Sequence, residues 1–159
     1  MRTIDARDAG KLLDRLRAEN PDVMIQAADA SAVYGRDHAL GVLDIALEAM
    51  QRKVMIANRP EAEVLLRLAC TDQISEAIKR ARLREGAAGC FIAFSTDTKA
   101  LQKFSEQLAE EFALDDSVIE PGAQKKNAIA KAIGVSPNKI ADGDFARFLL
   151  ERAAILVKR

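Results

Sequence analysis

The stretch NRPEAEVLLRLACTDQISEAIKRA, residues 58–81, decides the fold, because a helix start, a packed apolar face and a basic exit follow one another within it. Pro60 suits the first turn of a helix, where its missing N–H would be unpaired anyway, and Glu61 and Glu63 place negative charge at the positive end of the macrodipole. A helix is therefore expected to begin near Arg59. Val64, Leu65, Leu68 and Ala69 recur at three- and four-residue spacing. After Thr71 and Asp72, either of which can cap a second helix, the same phase resumes with Ile74, Ala77, Ile78 and Ala81. Lys79, Arg80, Arg82 and Arg84 gather at the far end, where cations suit the negative end of the dipole and can equally meet phosphates. By pattern alone this is a capped amphipathic helix pair in the core.

Upstream, Asp8 can cap a first helix with Ala9, Leu12, Leu13 and Leu16 on one face, ended by Asn20-Pro21 because a residue before proline avoids helical geometry. Residues 23–28 read as a strand, Ala39, Val42, Leu43, Ala46, Leu47 and Met50 define a helix over about residues 36–52, and residues 54–57 read as a short buried strand. Downstream, residues 90–95 form a strand, and Thr96 or Asp97 caps a helix with the stripe Leu101, Phe104, Leu108 and Phe112. Residues 115–122 are loop-like, a short helix around residues 128–133 ends at a left-handed Gly134, and Ser136-Pro137 caps a single turn. Asp142-Gly143-Asp144 supplies a turn and an N-cap for a final helix running from Phe145 towards Lys158. This order predicts an α/β (α+β) fold, one domain over residues 1–159 with a small mixed sheet covered by several helices.

The final helix carries two apolar stripes: Phe145, Phe148, Leu149, Ala153 and Leu156, then Ala146, Leu150, Ala154 and Val157 about 100° away. A helix apolar over so much of its circumference is either deeply buried or holds a partner.

At 159 residues the chain can bury roughly two thirds of the surface its unfolded form exposes, without metal or disulfide. Its net charge of zero is not that of a general nucleic-acid binder, so any RNA contact must use a local patch. The basic excess between Arg52 and Arg84 offers one. Cys70 and Cys90 form no C-x-x-C pair and suit buried, reduced thiols in a cytosolic protein. Residues 1–17 are studded with charges and lack a signal-peptide core, and no run is long enough to span a bilayer, so a soluble cytoplasmic protein is expected.

Acid–base or nucleophilic catalysis needs a base within reach of a nucleophile. The one histidine, His38, lies near a helix start and reads as a capped, partly exposed imidazole. One His and two distant Cys cannot make a zinc site, and Asp115-Asp116 reads as a solvated loop. Gly86-Ala87-Ala88-Gly89 precedes a strand, whereas a phosphate-cradling loop follows one and opens a helix; it is a turn. Lone Tyr34 and the absence of Trp leave no aromatic platform for stacked bases. No catalytic residue, cofactor or metal is expected.

Asn58, Glu63-Val64-Leu65-Leu66 and Gln73-Ile74-Ser75-Glu76-Ala77-Ile78 resemble a motif of the kinase-binding (TPRKB / CGI-type) accessory subunits of the KEOPS tRNA threonylcarbamoyladenosine complex. In that family a strand leads through Asn into a helix reading E-x-L-L and then Q-I-x-x-A-I. The Gly-rich approach to Cys90-Phe91-Ile92-Ala93-Phe94 resembles the family's next element, and Leu150-Glu151-Arg152-Ala153-Ala154-Ile155-Leu156 its final L-E-R-x-A-L-L helix. Asp72 departs from the pattern, since many members have Arg or Lys there. The resemblance implies an archaeal, non-catalytic KEOPS subunit of mixed fold with two surfaces. One binds the small atypical kinase subunit through the C-terminal helix, with Leu150, Ala154 and Val157 as candidates. The other binds the 3′ CCA end of tRNA, with Asn58, Arg59, Arg67, Lys79, Arg80 and Arg82 as candidates. A self-associating regulatory module without tRNA affinity remains the alternative, using the same final helix for a second copy.

Overall fold

The computed structural model of the protein describes residues 6–158; the first five residues of the charged N-terminal stretch, and Arg159, lie outside them. The chain runs α1 (Ala6–Glu19), β1 (Met24–Asp29), α2 (Arg36–Gln51), α3 (Pro60–Leu68), α4 (Ile74–Ala81), β2 (Gly89–Phe94), α5 (Thr98–Glu111), α6 (Ala123–Ile133) and α7 (Asp142–Ala154). The architecture is α+β. The sheet is smaller than expected and not mixed: β1 and β2 pair antiparallel from Met24 opposite Phe94 to Asp29 opposite Gly89.

Helices cover both faces of this ribbon, which is why β1 is apolar nearly throughout rather than alternating. On one face Ile25, Phe91 and Ala93 pack with Leu16 of α1 and with Phe104 and Leu108 of α5. On the other, Ala28 and Ile92 meet Val42 and Ala46 of α2, Val64 and Leu68 of α3, and Ala77 and Ala81 of α4. Gln26 and Asp29 are the polar exceptions; the Gln26 amide donates to the carbonyl of Glu61 at 2.8 Å, tying the strand to the first turn of α3. A third cluster, around Tyr34, Ala130, Phe145 and Leu149, joins α6 and α7 to the start of α2. Gly35 permits that start: its φ is +90°, and a Cβ there would lie 3.1 Å from Pro121.

Residues 54–57 do not form the expected strand, and Val54 is 53% exposed. Their backbone donors have other partners: Val54 N–H bonds back to Ala49 at the end of α2, and Ala57 N–H to the carboxylate of Glu63. Next to the sheet, Ala28 forms an isolated bridge with Arg82, and Ala30 N–H bonds to Ala88 O at 2.9 Å just past the Asp29–Gly89 pair.

The helix pair begins at Arg59 and Pro60 as expected, but the junction and the second face differ. Neither Thr71 nor Asp72 is the cap; Gln73 is, with Thr71 Oγ accepting its N–H at 3.1 Å. Cys70 lies just past α3 with φ +52°, and Cys70 N–H to Arg67 O and Thr71 N–H to Leu66 O complete a Schellman turn. In α4 only Ala77 and Ala81 are buried, because two small side chains let the helix approach closely; Ile74 (48%) and Ile78 (41%) face outward. Asp8 falls inside the first turn of α1 rather than at its cap, α6 starts earlier than predicted, and residues 142–144 form the first turn of α7, which ends short of Lys158. Asp97 does cap α5, accepting from Lys99 and Ala100 N–H, and Gly134 ends α6 at φ +77°.

Candidate functional site

Phe145, Leu149 and Ala153 turn α7 inward, with the Phe145 ring edge-on to Tyr34 at 4.9 Å. Of the second stripe, Leu150 is half-buried against α2, where a Cβ on Gly41 would come within 2.6 Å of it. Leu150 is thus largely taken up by its own chain, whereas Ala154 and Val157 are exposed. The two face a groove.

What holds the end of α7 is Arg67. Its Nη1 donates to the carbonyls of Ala153 and Leu156 at 2.8 and 2.9 Å, so a cation fills the place where a helix leaves carbonyls unpaired. Its Nε and Nη2 donate to Glu63 Oε1 at 3.0 and 2.7 Å, and Glu63 Oε2 accepts Ala57 N–H at 2.7 Å. One buried ion pair therefore ties α3, residue 57 and the end of α7 together.

The groove beside this latch encloses about 600 Å³. Its apolar lining includes Ala49, Val54, Met55, Ala154, Leu156 and Val157, and its charged lining is Glu48, Arg52, Lys53, Arg67 and Lys158. Val157 is 67% exposed, and the neighbouring Ile155 76%. α2 ends here in a Schellman turn, with Val54 N–H to Ala49 O at 2.9 Å, Lys53 N–H to Met50 O at 3.2 Å, and Lys53 at φ +58°. Val54 and Met55 went unnoticed as site residues in the sequence, and Lys53 was read only as part of the basic excess between Arg52 and Arg84; an apolar run between Lys53 and Asn58 carries the same signal for a strand as for an exposed loop.

The six basic-edge candidates do not form one cluster. Asn58 and Arg59 are exposed at the start of α3, and Lys79 and Arg82 at the end of α4. Arg82 follows Ile74 and Ile78 at four-residue intervals, so one exposed face joins two isoleucines to a cation. Arg80 is half-buried, donating to Ala69 O at 3.2 Å and lying 3.5 Å from Glu76. Arg67 is not at the surface at all, being 2% exposed and fully engaged in the latch.

His38 is not the partly exposed imidazole expected. It is fully buried, its Nδ1 accepts Tyr34 N–H at 2.9 Å, its Nε2 has no partner, and burial lowers its pKa to about 4. That tautomer, Nε2–H with Nδ1 accepting, makes His38 a structural cap on the turn before α2. Burial pushes the Cys70 and Cys90 thiols up to about 11, away from the thiolate form a nucleophile needs. Asp115 caps the turn at Asp116–Ile119 through Ser117, whose hydrogen bonds lower its pKa. Among the described residues no group of three His, Cys, Asp or Glu side chains is placed to hold a metal, and no helix is long and apolar enough to cross a membrane.

The family model described as kinase binding protein CGI-121 matches residues 4–144. No curated protein matches the chain. The match includes α2 and residues 53–55 of the groove and stops within the first turn of α7.

Proposed function

The chain belongs to the family of the kinase binding protein CGI-121, and from this premise we infer that it is a non-catalytic accessory subunit that binds a protein kinase. The family match carries the inference. The groove supports a location for that contact, because Val54 and Val157 line it as exposed apolar side chains beside a helix end that is already latched in place. Backbone held in place by the Arg67 hydrogen bonds has little freedom left to lose on binding, which favours a stable contact. We further propose that the partner is the small atypical kinase of the KEOPS complex and that the subunit acts there in cytoplasmic tRNA threonylcarbamoyladenosine modification as one domain. The resemblance of residues 58–78 and 150–156 to that family supports this finer reading.

The decisive binding experiment is titration calorimetry with that kinase. Val157→Asp would bury an unpaired charge in the contact and weaken binding by about 100-fold. Val157 is exposed in the free protein, so the folded state should be unaffected. Wild-type affinity in a folded Val157→Asp protein would remove the groove from the interface.

For tRNA, the exposed members of the basic edge support contact through Asn58, Arg59, Lys79 and Arg82, with Arg80 behind them. Lys79→Glu with Arg82→Glu should weaken tRNA binding and lower its salt slope, as loss of phosphate contacts does. Anisotropy with intact tRNA and with tRNA lacking its 3′ CCA tests the end-specific part; equal binding of the two would contradict it. The exposed end of α7 also fits a second copy of the chain, and a dimer in light scattering of the isolated protein would favour the self-associating reading.

A further inference from the structure

The groove is chemically lopsided. Beside its apolar lining, Arg52, Lys53, Arg67 and Lys158 stand against Glu48 alone. Glu48 is already matched, lying 3.3 Å from Arg52 on the next turn of α2. Arg67, at the back, is neutralised by Glu63. Lys53 and Lys158 are left exposed, and no carboxylate among the described residues lies within ion-pair distance of either.

The backbone at Lys53 is an independent observation. The residue sits just past the end of α2 at φ +58°, where glycine is usual because a Cβ crowds the following carbonyl. Its Nζ makes no hydrogen bond or ion pair within the described chain that offsets the strain. An exposed charge without an internal partner, held beside an apolar groove by the Schellman turn that ends α2, is suited to pair with an opposite charge on whatever docks there.

We propose that the groove receives an amphipathic segment of the partner kinase that carries an Asp or Glu beside its apolar anchors, with Lys53, flanked by Lys158, pairing with that carboxylate. This rests on the reading of the groove as the kinase-docking surface. The apolar side chains supply the contact area and the lysines fix its register, since charges at a rim govern approach and orientation more than total affinity. A nucleic-acid strand fits less well, because the lining offers no aromatic ring for a base to stack on.

The test measures kinase affinity and salt dependence for wild type, Lys53→Gly, the double variant Lys53→Glu/Lys158→Glu, and Val157→Asp, with melting temperatures throughout. Lys53→Gly should melt higher, since the strain is relieved, and yet bind the kinase about fivefold more weakly. The double reversal should weaken binding by about 100-fold at low salt, with the gap to wild type closing as salt rises. Weak binding by Val157→Asp together with wild-type affinity and salt slope in both lysine variants would overturn the acidic segment while leaving the groove as the docking site. Wild-type binding by all three would overturn both. Loss of tRNA binding with kinase affinity intact in the double reversal would assign the lysines to nucleic acid instead and refute the proposal.

Discussion

Arg67→Met is the perturbation with the most to say about how the groove is built. Glu63 and Arg67 are 0% and 3% exposed at their side chains, so the substitution strands a carboxylate whose one remaining partner is Ala57 N–H. Removing one member of a buried ion pair costs about 3–5 kcal/mol. The carbonyls of Ala153 and Leu156 also lose their donor, adding on the order of 1 kcal/mol where water cannot replace it. A loss of about 5 kcal/mol is therefore expected, a large part of the roughly 5–15 kcal/mol that holds a domain folded. The diagnostic is Glu63→Met added to Arg67→Met. With no charge left behind, the double variant should recover about 2 kcal/mol relative to Arg67→Met alone, a non-additivity expected of directly bonded groups. Urea unfolding followed by circular dichroism reads both numbers. If Arg67→Met unfolds within about 1 kcal/mol of wild type, or the second substitution only adds to the damage, the latch is not the buried ion pair described.

Other expectations are independent of that pair. His38 has a folded pKa of about 4, below its ordinary 6.5, so its contribution is fully present above pH 6.5 and is lost as pH falls towards 4, by about 3 kcal/mol in all. A stability profile that is flat between pH 6.5 and 5, or as steep in His38→Gln as in wild type, would count against it. Phe145→Ala empties a fully buried ring site beside Tyr34 and should cost about 3–5 kcal/mol in chemical denaturation. Gly41→Ala would gain about 1 kcal/mol at a free helix position, but here the new methyl meets Leu150, so net destabilisation is expected, and a raised melting temperature would show that α7 yields easily. Asp97→Ala removes the cap of α5 and should cost about 1 kcal/mol, against no change if water serves the two N–H groups equally well.

The helices were readable because their causes are local. Pro60 with two acids after it, Asp97 before a stripe, and Gly134 after one each act within a turn, and the structure places α3, α5 and the end of α6 accordingly. The failures occur where distant parts of the chain decide. Glu63 and Arg67 are an i, i+4 pair that reads identically whether it lies in water or in the core; the arrival of carbonyls 86 and 89 residues later makes it a buried latch. Residues 54–57 have the composition of a strand, but Ala49 and Glu63 capture their donors first. In α4 the isoleucines and alanines share one helical phase, and the close approach of Ala77 and Ala81 to the core leaves the larger pair outside. Ala154 and Val157 were legible as surplus apolar surface, whereas the groove they line needs the end of α2, a loop and the end of α7 at once.

Hydrogen exchange of the protein, free and bound to the small kinase, locates the docking surface without any substitution. Protection should concentrate in residues 48–55 and 152–158, with α5 and the exposed face of α4 unchanged. Protection confined to α4 or α5, with both walls of the groove exchanging as in the free protein, would place the kinase elsewhere and contradict the account.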